Sequence, residues 1–276
     1  MKSTDLFKKT HIYSILWLLF FVMSSIHPSY AGYGLKMKDA YLTFFIEIDD
    51  KQIAKLVGLP LEGEYYYDIR QAKLIFSPAY TENAYYVSVL PMERGLPKAL
   101  FSRDSKKDGK LLLGYDTQKW SLSTNSIDCK DVYSSKELGK KLKFNMTDIA
   151  RINLALAYIT GQKLSHPCLS HVISKAAGNL IGLPLHSYSL LDRSDFVVES
   201  IVEDKNLDLH VITTDVSLFD DDAQAKYLET LLASPAYHSY LQTVELLGDS
   251  GITKVKALKQ LLENPENRRK ILPAQE

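Results

Sequence analysis

The chain has 276 residues, with 33 Lys and Arg against 33 Asp and Glu. Without residues 1–31 the balance is 30 basic to 32 acidic, a net charge of −2. Near-neutrality without a clustered basic face excludes an electrostatic device for nucleic-acid phosphates or for a membrane surface, and 46% apolar residues supply a substantial core.

The N-terminus carries Lys2, Lys8 and Lys9, then an uncharged apolar run from Ile12 to Ile26, then Pro28-Ser29-Tyr30-Ala31 before Gly32. A basic start, a short apolar middle and small residues at the first and third positions before the cut are the pattern of an export signal. Cleavage is expected between Ala31 and Gly32. The apolar run is shorter than the about 20 residues that span a bilayer, and no Cys follows it to take a lipid. No later stretch reaches spanning length, so no membrane span is expected after signal removal.

The next hundred residues read as strands. Leu42, Phe44, Ile46 and Ile48 alternate along 41–48. A short helix is expected after it, capped by Asp49 or Asp50, with Ile53, Leu56 and Val57 on its apolar side and Gly58 and Pro60 at its end. Residues 65–76 and 84–90 read as further strands, and 111–115 with 119–124 as a hairpin. Ten of the 17 Tyr fall between Tyr33 and Tyr133, as pleated surfaces favour.

Near residue 130 the pattern turns helical. Ser134 to Glu137 has capping-box spacing for a helix reaching Leu142, and Thr147 caps a second with Ile149, Ile152, Leu156 and Ile159 inward. Pro167 opens a third, with Leu169, Val172, Ile173, Ala176 and Leu180 along one stripe. Residues 195–203 and 207–216 read as a second hairpin. Asp220-Asp221-Asp222 then opens a helix carrying Ala225, Leu228 and Leu232. Two more helices are expected, from Ser234-Pro235 with Tyr237, Tyr240, Leu241, Val244 and Leu247, and over 251–263.

The expected architecture is therefore α+β. An N-terminal antiparallel β-rich region precedes helices, a β-hairpin and a C-terminal helical segment. The domain reading is a signal at 1–31 and one unit over 32–276, β-rich over 37–128, mixed or helical over 130–263, with a flexible tail at 264–276.

Cys129 and Cys168 are the two cysteines. In an exported chain a single pair favours an intramolecular disulfide. Closing a loop of about 40 residues stabilises by about 4 kcal/mol in the chain-entropy description. His166-Pro167-Cys168-x-x-His171 gathers soft ligands, with His186 and His210 as further donors, but Cys168 falls on the apolar side that suits a disulfide. Gly248-Asp249-Ser250-Gly251 matches a serine-protease nucleophile motif, yet it sits between two amphipathic helices and reads as a stop and a cap. The Asp220–Asp222 run lacks the Gly and distal Glu of a calcium loop and complements a helix N-terminus. Glu93-x-Gly95-x-Pro97-Lys98 resembles the Schiff-base lysine neighbourhood of acetoacetate decarboxylases, whose pattern the helical second half does not follow. Asn145-Met146-Thr147 is a glycosylation sequon. Tyr65 and Tyr67 share a strand face, and a solvent-facing aromatic row could grip a ligand, although ordinary strand composition explains it as well.

No cofactor and no metal ligand set emerges. The functional expectation is an exported, soluble, non-enzymatic binding or accessory protein, periplasmic or secreted by a bacterium, whose ligand is a protein, a small molecule or a glycan. The alternative is an exported hydrolase whose His-containing site is dispersed in sequence, drawing on His171, His186 or His210.

Overall fold

A computed structural model describes residues 32–39, 43–59, 63–78, 83–103, 109–161, 166–204, 207–211 and 215–233. The export signal, the Gly248–Gly251 motif, the two helices expected after Ser234 and the tail lie outside them.

The chain begins with a meander of six strands. These are β1 (Gly32–Lys38), β2 (Thr43–Ile48), β3 (Ile53–Val57), β4 (Gly63–Asp68), β5 (Lys73–Pro78) and β6 (Ala84–Ser88), followed by a single helical turn, α1 (Val89–Met92). Next come β7 (Ala99–Arg103), a miniature hairpin of β8 (Leu111–Leu112) and β9 (Tyr115–Asp116), β10 (Gln118–Thr124) and β11 (Ile127–Ser135). Helices α2 (Lys136–Leu142), α3 (Met146–Ile159) and α4 (Lys175–Ile181) lead into β12 (Leu183–Ser189) and β13 (Asp195–Asp204), then β14 (Val216–Leu218) and α5 (Asp221–Ala233).

Twelve of these strands form one mixed sheet in the order β14-β6-β5-β4-β3-β2-β1-β13-β12-β11-β10-β7. Every neighbouring pair is antiparallel except β14 with β6. At the β7 edge Val172 takes up part of the exposed ladder, accepting from the Ala99 amide at 2.9 Å and donating to the Pro97 carbonyl at 2.9 Å, which blunts an edge otherwise open to another strand.

The expectation of an α+β fold with a helical second half is therefore corrected. Among the described residues strands hold 48% and helices 23%, and local chemistry explains each departure. Asp49 does not cap a helix. Its carboxylate accepts from the Ile53 amide at 2.8 Å and its own amide donates to the Ile53 carbonyl at 3.0 Å, closing a β-turn between β2 and β3. Ile53 and Leu56 mimic a helical stripe because they are buried on opposite faces of β3. Residues 65–76 are two strands, since the Asp68 carboxylate accepts from Arg70 and Gln71 at 2.9 Å each and folds the chain back. The long hairpin here is β10 with β11, turning at Asn125 and Ser126, which both hold positive φ (50° and 62°).

The helix expected from Pro167 starts only at Lys175, where the Ser174 hydroxyl accepts from the Ala177 amide at 3.2 Å. The described part of the second strand expected there, 207–211 and 215–216, does not return as a hairpin with β13, which pairs with β1 and β12 instead. Leu207 to Val211 cross the outer face of the sheet as an irregular strap, burying Leu209 against Ile53 and Tyr66. Asp208 accepts an ion pair from Lys51 at 2.5 Å there.

The main core lies between the inner face of the sheet and α2, α3 and α5, with Leu35, Tyr67, Leu74, Phe76, Leu138, Phe144 and Ile159 each fully buried. Phe76 anchors an aromatic cluster, 5.8 Å from Tyr65, 4.9 Å from Phe219 and 6.0 Å from Tyr227. Helix α3 is opened by Asn145, whose side chain accepts from the Thr147 amide at 2.8 Å while Asp148 accepts from the Asn145 amide at 3.0 Å. This cap presses on α4 at Gly178, where a Cβ would stand 2.0 Å from Thr147 Oγ1 and 2.5 Å from Asn145 Oδ1. Gly178→Ala gains about 1 kcal/mol of helix propensity, while overpacking costs about 1–3 kcal/mol and here falls at the upper end. Urea titration is expected to show a net loss of about 2 kcal/mol; a variant as stable as wild type would contradict the contact.

Candidate functional site

Cys129 and Cys168 form a disulfide, with Cα atoms 5.2 Å apart. Both are buried in a second apolar cluster with Trp120, Leu122, Val132, Met146, Ile173 and Ile181. The bridge occupies the sulfur that a zinc site or a thiol nucleophile would need. The two flanking histidines bond locally. His166 Nδ1 accepts from the Cys168 amide at 3.2 Å, and His171 Nδ1 donates to the Pro167 carbonyl at 3.3 Å. Burial, helped by the Lys130 charge, pushes His171 down to about 4, so it is neutral at physiological pH.

The remaining histidines lie elsewhere. His186, on the outer face of β12, stacks on Tyr133 with ring centroids 5.8 Å apart and meets Asp195 Oδ1 at 2.9 Å. His210 is exposed on the strap, 3.7 Å from Asp208. The contacts of His171, His186 and His210 are disjoint, so the described residues do not gather them into one site. Among the described residues no group of three or more His, Cys, Asp and Glu is placed to hold a metal ion.

Asp220 caps α5, accepting from the Ala223 amide at 2.9 Å, and Asp221 accepts from the Tyr158 hydroxyl at 3.0 Å. Tyr65 and Tyr67 do share a face, but it is the inner one, at 1% and 0% exposure, and they offer no solvent-facing row. Asn145 of the sequon is buried, and its side-chain amide donates to Asn179 at 3.0 Å.

The densest polar cluster joins residues 58 and 81 positions apart, with no local sequence pattern to mark it. Arg151 on α3 forms a two-pronged pair with Glu93 at the end of α1, Nε to Oε1 at 2.7 Å and Nη2 to Oε2 at 3.2 Å. Beside it the Tyr67 hydroxyl donates to Asp148 Oδ1 at 3.4 Å. Burial pushes the Asp148 carboxyl up to about 6, against the opposing pull of the Asn145 amide, Arg151, Tyr67 and Lys175. Burial also raises the Tyr67 hydroxyl far above its ordinary range. Chemically the cluster is a buried acid beside a locked ion pair, and it ties α1 and α3 to β4.

Two opposite pH dependences follow. The Asp148 carboxyl is raised on folding, so its contribution is complete below its unfolded value near 3.8 and is lost as pH rises through about 6, a change of about 3 kcal/mol. His171 is lowered, so its contribution is complete above 6.5 and is lost as pH falls toward about 4. The two slopes oppose each other between pH 4 and 6. Asp148→Asn is expected to remove the first and leave stability rising steeply with pH over that range. Urea midpoints at half-unit pH steps check this, and a variant profile parallel to wild type would contradict it.

No family model and no curated protein matches the sequence. Among solved structures, that of PNGF-II in the C2 space group resembles the chain with a TM-score of 0.40 at 12% identity. The similarity covers 72% of this chain and 33% of that one. This chain thus corresponds to about a third of that protein, and a likeness so shallow carries no functional argument.

Proposed function

We propose that residues 1–31 are an export signal removed after Ala31, and that residues 32–276 work as one binding or accessory unit in the periplasm or the medium. The observation that carries this reading is the disulfide. At 1% and 7% exposure Cys129 and Cys168 sit inside a packed apolar cluster, so that region matures where thiols are oxidised. The basic and apolar N-terminus supplies the route there. Among the described residues no helix is long and apolar enough to cross a membrane.

The binding surface in this reading is the outer face of β10 to β13, opposite the helices. It presents half-buried Tyr133, His186 and Tyr188 beside Lys119, Asp131 and the exposed Asp195. Amphipathic rings with balanced charges suit a neutral polar ligand, a protein segment or a glycan, rather than a polyanion. The test is recovery of the exported protein with its ligand after cross-linking in intact cells. The wild-type chain is expected to begin at Gly32 and to lose its cross-linked ligand on Tyr188→Ala. Turnover of an ester, peptide or glycoside that disappears in His186→Ala would instead establish the hydrolase alternative.

A further inference from the structure

Strand β1 has a singular place in the sheet. On one side lie β2 to β6 with β14, and on the other β13, β12, β11, β10 and β7. Among the described strands the hydrogen-bonded ladder joins these two blocks only through β1, although they share side-chain contacts such as Phe44 with Phe196. It pairs over Tyr33 to Lys38 with β2 and over Gly32 to Lys38 with β13. Its inward Leu35 and Met37 are 0% and 1% exposed, so the join is also part of the core. Gly32, where β1 starts, is itself buried. A Cβ there would lie 2.5 Å from Leu207 Cδ2 and 2.8 Å from the Ile48 carbonyl oxygen.

The expected cut falls immediately before this residue. Only His27 to Ala31 separate the apolar run from Gly32, a reach of at most about 17 Å. The headgroup layer consumes about 6 Å of it. Twelve strands side by side are about 50 Å across. A leader still held in the bilayer would therefore pin the buried end of the central strand, and with it the whole end of a wide twisted sheet, against the membrane surface.

We propose that removal of residues 1–31 is the step that lets β1 insert between β2 and β13, so that processing joins the two blocks into one sheet. This rests on the export reading above. Before the cut the chain holds two blocks with open edges at β2 and β13. The Cys129–Cys168 bridge lies wholly within one block, so it forms whether or not the cut has been made.

The experiment compares three exported chains: wild type, Ser29→Phe/Ala31→Phe, and that variant with about twenty Gly and Ser residues inserted before Gly32. Intact mass and thiol alkylation report processing and the disulfide. Hydrogen exchange at β1, β2 and β13 reports insertion. The uncleaved variant is expected to hold its disulfide while losing protection in these strands by ~100-fold or more, and the spacer is expected to restore protection without restoring cleavage. An uncleaved chain as protected as wild type, or a spacer that restores nothing, overturns the coupling while leaving export intact. A wild-type mass that begins at Met1, or two alkylatable thiols in the recovered protein, overturns the export reading and the proposal together.

Discussion

Replacing both Cys129 and Cys168 by alanine is expected to lower stability by about 4 kcal/mol. The bridge spans 39 residues of sequence, and most of its effect in the chain-entropy description is the loop it removes from the unfolded ensemble. The native state adds a local consequence. Cys168 fixes the turn that leads to Val172, and Val172 blunts the β7 edge, so the variant should also exchange faster along β7 and β10. Urea unfolding of the oxidised protein, the reduced protein and the double variant measures the effect. Midpoints that coincide for oxidised and reduced protein would show that the bridge is not a stabilising element.

Arg151→Met is expected to cost about 3–4 kcal/mol, because it leaves the Glu93 carboxylate without its guanidinium in a largely dry site. The two side chains are 15% and 16% exposed, so some water reaches them and the loss stays below that of a fully buried charge. Glu93→Gln should cost less, since an amide can still accept one of the two bonds. The double variant Glu93→Gln/Arg151→Met is expected to recover part of the loss, and a double-mutant cycle isolates the coupling. A cycle that closes at zero would mean the pair contributes nothing beyond its separate packing. The same substitutions should shift the Asp148 titration, because Arg151 is one of the charges holding that carboxyl down.

The parts of the fold that a reader of the sequence could see are those with one clean periodicity. β2, β6, α2, α3 and the start of α5 lie close to where alternation, helical stripes and caps place them, although Asn145 caps α3 in place of the expected Thr147, and the cysteine pair is joined. β3 and β4 are buried on both faces because the strap covers them from outside, and a strand apolar on both faces loses its period-two signature. Tyr66 at 4% and Tyr67 at 0% exposure show this directly. The Asp68 turn contains no glycine or proline and so carried no strong punctuation. Pro167 opens a convincing amphipathic stripe, but the disulfide and the Val172 bridge hold 166–173 out of a helix. Nothing local marks the Glu93–Arg151–Tyr67–Asp148 cluster, whose partners stand 58 and 81 residues apart.

The place of β1 also sets a clock. Gly32 waits for Asp204, a partner made about 170 residues later, and at about 5–20 residues per second that is on the order of ten to thirty seconds of synthesis. For all that time the chain cannot finish its sheet, which keeps it threadable through a translocation pore. It also leaves the facing edge of β2 open to any neighbouring strand, so crowded refolding of the mature protein should aggregate in proportion to concentration while slow dilution should not.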